Sequence, residues 1–210
     1  MNPMKLFYSS RVAFAALAVI FCVDAAAVGE VPLQVVQETT TRLLSALDSE
    51  HELISQRPEH AHDIMQRILL PVVDRNRIAR LALGRYWREA TPAQRARFIA
   101  EFETKLLRTY AAGLANYTSV DVSYLPVTMD ASGTDAIVRT RIRFTTNESV
   151  AVDYRLYDRQ GQWFVYDVLI AGISTVMTFR TVIAEQIRTI GLERFLDDLA
   201  QQNRAPQEPS

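Results

Sequence analysis

The sequence is short of the residues that most often carry covalent, redox or phosphate chemistry. Cys22 is the one cysteine in 210 residues, so no disulfide forms within the chain and stability rests on packing. The seven glycines are scattered. They build neither a Gly-rich phosphate loop nor a Gly-x-Ser-x-Gly nucleophile turn. Neither charge sign dominates: 23 basic and 24 acidic residues leave a formal net charge of −1. No global field draws the chain to nucleic acid or to an anionic surface, so any anion contact is local. The longest apolar run, residues 12–23, is too short for a bilayer core of roughly 30 Å.

That run has a meaning of its own. Lys5 and Arg11 precede it, and Ala25-Ala26-Ala27 follow it. A thin positive stretch, a short apolar stretch and small residues are the order of a secretory signal. Residues 1–27 are therefore expected to be a signal peptide cleaved near Ala27, which places the mature chain outside the cytoplasm. Ile20 and Phe21, before Cys22, are too large for lipoprotein processing. With 49% hydrophobic and 22% charged residues, residues 28–201 suit one globular domain with a full core. The polar, Pro-rich residues 202–210 read as a disordered tail.

The first half is helical in period. Leu33, Val36, Thr40, Leu43, Leu44 and Leu47 recur at helical spacing, and Pro58 opens a second pattern with Ile64, Met65, Ile68 and Leu69. After Pro71, a short third helix carries Val72, Val73, Ile78, Leu81 and Ala82 and ends at Gly84. Thr91-Pro92-Ala93-Gln94 is a helix start, with Thr91 and Gln94 set to form a capping box. The following helix has a stripe of Phe98, Phe102, Leu106 and Tyr110 at intervals of four, widened by Ile99, Leu107 and Leu114.

Near Tyr117 the period changes to two. Val120, Val122 and Tyr124 alternate with polar residues, as do Val138, Thr140, Ile142 and Phe144. Val150, Val152, Tyr154 and Leu156 form a third such strand. A turn at Asp158–Gly161 leads into a fourth, Gln162 to Ile170, apolar on both faces and so expected to lie under helices on both sides. Short connections imply an antiparallel meander. Ser174 caps a last long helix with Val176, Phe179, Ile183, Ile187 and Ile190, and a short docking helix follows Gly191. The expected fold is α+β: a twisted four-stranded antiparallel sheet packed against several helices.

Three groups carry possible chemistry. His51, His60 and His62 crowd together, but His60 and His62 are two apart and diverge on a helix. Glu59 and Asp63 suit a solvated first turn better than a metal site. Asp167 sits between Tyr166 and Val168 in an apolar strand. It is either a general base in a cavity or a carboxylate that accepts bonds from the turn at Gly172–Ser174. No second acid or histidine from the strand region completes a site, which favours the second reading. Arg139, Arg141, Arg143 and Arg155 line one polar strand face. They pair across strands, or they contact a lipid phosphate or a protein partner.

Together these pieces resemble the MlaC family, the toluene-tolerance auxiliary proteins of a lipid-transporting ABC system. The resemblance runs from about Val31 to Gln201. It rests on Leu70-Pro71 with Asp74, then Leu83-Gly84-Arg85-Tyr86-Trp87, Ala90-Thr91-Pro92-Ala93-Gln94-Arg95 and the Phe98–Tyr110 stripe. Val152-Asp153-Tyr154, Trp163–Val168, Gly172-Ile173-Ser174, Arg180 and Gly191 complete the order. Family members often carry Glu where Ala171 stands, and Thr178-Phe179 replaces a more usual Asn-Tyr pair.

The resemblance implies a deep apolar pocket between sheet and helices. Phospholipid is then the cargo, with no cofactor. The partners implied are an outer-membrane lipoprotein complex and the substrate-binding-domain subunit of an inner-membrane ABC transporter complex, met in the periplasm by a monomer. Nucleic acid is not among them. The expected lining is Val73, Ile78 and Leu81 from the third helix, with Phe98, Phe102, Leu106 and Tyr110 from the fourth. The sheet is expected to add Val122, Val138, Ile142, Val152, Tyr154, Val168 and Ile170, and the last long helix Val176. Arg139, Arg141 and Arg143 are the expected headgroup or partner contacts. The competing expectation is a small cavity-type α+β enzyme with Asp167 as general base.

Overall fold

The computed structural model describes residues 25–115 and 119–204. Most of the expected signal peptide, residues 1–24, lies outside the described residues. So do Tyr117 and residues 205–210 of the expected tail. Helices α1 (Ala25–Ser49), α2 (His51–Gln56) and α3 (His60–Leu69) are followed by a 3₁₀ turn at Leu70–Val72. Helices α4 (Arg75–Leu83), α5 (Tyr86–Glu89) and α6 (Pro92–Ala115) come next. The sheet then forms from β1 (Val120–Tyr124), β2 (Thr128–Met129), β3 (Asp135–Phe144), β4 (Ser149–Arg159), β5 (Gln162–Ile170) and β6 (Ile173–Ser174). Helices α7 (Thr175–Ile190) and α8 (Leu192–Arg204) close the chain. Among the described residues no helix is long and apolar enough to cross a membrane.

The helix starts are chemically determined. In the Thr91 capping box the Thr91 N–H donates to Gln94 Oε1 (2.9 Å), and the Gln94 N–H donates to Thr91 Oγ1 (3.2 Å). Asp74 caps α4 by accepting from the Arg77 N–H at 2.9 Å, a cap the apolar pattern does not reveal. Gly84 ends α4 at φ 58°, and a Cβ there would lie 2.9 Å from Arg180 Nε. A side chain at this position would therefore meet both backbone strain and a guanidinium.

The sheet is antiparallel in the order β1-β3-β4-β5-β6, with β2 paired to β3 beyond β1. The four expected strands are present, but the sheet has six. The additions, β2 and β6, are two residues each, too short for alternation to show. Gln160-Gly161 turns β4 into β5 with positive φ at both residues (57° and 84°), the twist a tight hairpin prefers. A bulge sets Arg155–Leu156 of β4 against Val165–Asp167 of β5, so Tyr166 is the extra residue.

Three consecutive β5 residues, Trp163, Phe164 and Val165, are each at most 8% exposed, which requires cover on both faces. Trp163 and Val165 pack with Val138, Leu156 and Val36 of α1. On the other face Tyr166 reaches the α4–α7 core, whereas Phe164 lies under the Arg159 guanidinium at 4.1 Å. One side of the cover is thus partly a side chain rather than a helix.

The expected disordered tail is corrected for residues 202–204, which continue α8. Polar bonds hold them. The Asn203 amide donates to the Glu101 carbonyl (2.9 Å) and to its Oε2 (2.7 Å), and Arg108 donates to the Asn203 carbonyl (2.5 Å).

Candidate functional site

The inward face of α6 serves two environments. Phe98 is fully buried and stacks on Phe102, with ring centroids 5.2 Å apart and planes at 10°. Phe195 of α8 lies 6.3 Å away. This end belongs to a filled core shared with Leu83 of α4, Ile183 of α7 and Leu196 of α8. Farther along, Leu106, Leu107 and Tyr110 border a cavity of about 310 Å³. Facing them are Val36, Thr39, Thr40 and Leu43 of α1, and Tyr154, Val165, Val168 and Ile170 of the sheet. Met65, Leu69, Leu70 and Val73 close one side, and Thr175, Val176 and Phe179 another.

The wall is almost wholly apolar yet reaches water where Arg75 stands half-exposed, so the hollow leaves apolar surface that the protein's own side chains do not cover and that a bound apolar group would. Magnitude matters here. A cavity of about 150 Å³ holds one benzene. About 310 Å³ therefore holds on the order of a dozen carbons, close to one acyl tail.

Few polar groups interrupt the wall. The Tyr110 hydroxyl lies 3.4 Å from Thr175 Oγ1. Arg75 Nη1 donates to Glu103 Oε2 at 2.9 Å. Part of Tyr154 faces the cavity, yet burial pushes its phenol up to about 12.

Asp167 also borders the cavity, but its oxygens are occupied. Ser174 Oγ donates to Oδ2 (2.7 Å), the Val176 N–H donates to Oδ1 (3.2 Å), and Arg155 Nη1 stands 3.4 Å from Oδ2. This is the carboxylate that ties β5 to the start of α7, as the structural reading of the sequence holds. Both oxygens are thus engaged in holding the turn, the other acid in the wall, Glu103, is paired with Arg75, and no histidine stands in the wall.

The sequence-derived lining divides. Val73, Ile78, Phe102, Leu106, Tyr110, Tyr154, Val168, Ile170 and Val176 stand in the wall. Leu81 and Phe98 lie instead in or against the filled core. Val138 is sealed under Val36 and Trp163. Val122, Ile142 and Val152 share the inward sheet face but pair at its β1–β3–β4 end, outside the wall. The wall residues missed come from several elements, and α1, from which none was expected, supplies Val35, Val36, Thr39, Thr40 and Leu43. Thr39 and Thr40 are the trace of them in the sequence, small polar residues within an apolar stripe.

Arg139, Arg141 and Arg143 alternate with the inward-facing Val138, Thr140 and Ile142, so they point away from the cavity. Arg139 donates to Thr128 Oγ1 at 2.7 Å, and Arg143 pairs with Asp121 at 3.0 Å. Their expected headgroup role is thereby corrected: the strand pleat puts them on the wrong face. The histidine cluster is a brace. His60 Nε2 lies 2.6 Å from Glu50 Oε2, and Arg67 pairs with Glu50 Oε1 at 2.5 Å. Among the described residues no group of three His, Cys, Asp or Glu is placed to hold a metal.

The family model described as MlaC protein matches residues 37–201. The chain belongs to the MlaC family. It is 32% identical over 174 residues to the toluene tolerance protein ttg2D of Pseudomonas putida, covering 81% of this chain and 80% of that one. It is 26% identical over 160 residues to the intermembrane phospholipid transport system binding protein MlaC of Haemophilus influenzae, covering 73% and 74%. A phospholipid-binding protein from Ralstonia solanacearum, solved in complex with a phospholipid, superposes with a TM-score of 0.74 at 30% identity. That match covers 82% of this chain and 98% of the other. Residues 37–201, which the family model matches, include all of the cavity lining except Val35 and Val36.

Proposed function

We propose that this protein is a periplasmic phospholipid carrier that catalyses no reaction. It shuttles lipid between an outer-membrane lipoprotein complex and an inner-membrane ABC transporter complex, and so maintains outer-membrane lipid asymmetry. The observation that carries the reading is the 310 Å³ apolar cavity, in a family that includes a phospholipid-bound member. The signal-like residues 1–27 support the periplasmic location, and the carrier works as a monomer.

The energetics support a cavity rather than a groove. A buried methylene is worth about 0.8 kcal/mol, so the roughly thirty of a two-chain lipid cost on the order of 20 kcal/mol in water. A carrier must shelter nearly all of them. The cavity holds about one tail, so the second enters as the wall widens. Helix α1 is the wall that shifts, since it lies across the sheet and α6. The charged headgroup stays at the mouth, because burying an unpaired phosphate is costlier still.

The test is organic extraction of purified protein followed by mass spectrometry. Near-stoichiometric phospholipid is expected, and Leu106→Trp, which fills the cavity, is expected to lower it severalfold. A folded wild-type protein that yields no lipid after incubation with phospholipid vesicles ends the proposal.

A further inference from the structure

The cavity wall holds three charged side chains: Arg75, Glu103 and Asp167. Asp167 is fully engaged by Ser174, Val176 and Arg155. Among the described residues, Arg75 and Glu103 pair with each other, at 2.9 Å, across the gap between α4 and α6. Their side chains stand where greasy wall meets water, Arg75 at 54% exposure and Glu103 at 16%. A charged headgroup must sit at such a boundary while its tails run inward.

The pair presents both charge signs side by side. A zwitterionic headgroup, with a phosphate and a primary ammonium, carries the complementary two. Exchange then conserves ion pairs: the phosphate takes the Arg75 fork, and the ammonium takes the Glu103 carboxylate. An anionic headgroup that bears only hydroxyls satisfies Arg75 but leaves Glu103 without its cation beside a phosphate. That mismatch is the repulsive half of a preference.

Resting on the carrier reading, we infer that Arg75 and Glu103 form a headgroup subsite that favours aminophospholipids of the phosphoethanolamine type over anionic glycerol-type phospholipids. The helix stripe places the subsite: Glu103 lies one turn from Ile99 and one turn from Leu106 and Leu107 on the same α6 face, and all of these border the cavity. The sequence gives little warning of it, because each residue alone reads as a solvated helix charge.

The experiment equilibrates the full chain with vesicles of equal phosphatidylethanolamine and phosphatidylglycerol. The bound lipid is then extracted and weighed by headgroup. For a half-exposed charged contact the expected bias toward phosphatidylethanolamine is about two- to fivefold. Glu103→Gln should abolish or reverse that bias, read as the headgroup ratio of the lipid that is bound. Arg75→Gln should lower retention of both lipids, and Arg75→Lys should restore most of it. Thermal midpoints of the variants identify any that fail to fold. Lipid bound by folded Glu103→Gln and Arg75→Gln in the parent's amount and headgroup ratio would overturn the subsite and leave the carrier reading standing. Lipid absent from the parent and all variants alike overturns the carrier reading, and the subsite with it.

Discussion

The two ends of α6 differ in outcome though not in kind. Phe98 and Leu106 belong to one stripe at the same spacing, yet one is sealed in a solid core and the other faces a hollow. The difference lies in what stands opposite. Around Phe98, α4, α7 and α8 all converge, and aromatic rings fill the space. Around Leu106 and Tyr110, a space of about 310 Å³ separates α6 from α1 and the sheet, although Val36 of α1 packs on the sheet beside it. A helix face therefore becomes core or container according to its partners rather than its composition.

The comparison is broken most severely at its solid end. Phe98→Ala is expected to cost about 3–5 kcal/mol, measured by urea unfolding, with lipid per folded molecule unchanged. A comparable fall in lipid load at retained fold would mean that the core end also takes part in binding.

The boundary between the two ends comes next. Asp74 caps α4, accepts from the Tyr157 hydroxyl and pairs with Arg159 at 3.6 Å, tying the core's helix to the sheet. Burial alone would raise its carboxyl, but the Tyr157 hydroxyl, the Arg77 N–H and Arg159 together hold it below the ordinary value of 3.8. A carboxylate lowered on folding contributes stability above its unfolded value, and that contribution disappears as pH falls through the folded one. Asp74→Ala should cost about 1–2 kcal/mol at pH 7, with the gap from the parent narrowing as the pH drops below 3.8. Parallel unfolding curves at neutral and acid pH check it, and a gap that widens in acid contradicts the assigned sign.

At the hollow end the same truncation is gentler. Leu106→Ala is expected to cost about 1 kcal/mol, well under a fully packed leucine's 2–5, because one side of Leu106 already lacks protein contacts. A loss near that of Phe98→Ala would show the cavity to be tightly closed around it. The smallest effect is expected at Arg141→Ala, on the outward sheet face, within about 0.5 kcal/mol of the parent. Its lipid load should also match the parent's, and a drop in load would return the arginine row to the binding site.

Much of the architecture was legible because it rests on local rules. The capping box at Thr91, the turn at Gln160-Gly161 and the alternation of β1, β3 and β4 each follow from a few adjacent residues. Two-residue strands carried no period, and Asp74 as a cap lay hidden before a charged, not an apolar, first turn. The site was legible in part. Phe102, Tyr110, Tyr154 and Val168 fall in the wall, but strand alternation assigns a face without saying how far along it the cavity reaches. Val138 and Ile142 share the inward face with Val152 and Tyr154, and only Tyr154 of these lies in the wall.

By itself, the sequence determined which residues turn inward, where most helices begin, and that the chain has the MlaC order of parts. Only the tertiary structure decided that α1 stands off from α6, that the arginine row faces away, and that Arg75 meets Glu103. Periodicity is set by bonds between neighbours along the chain, whereas a cavity is a distance between elements far apart in it.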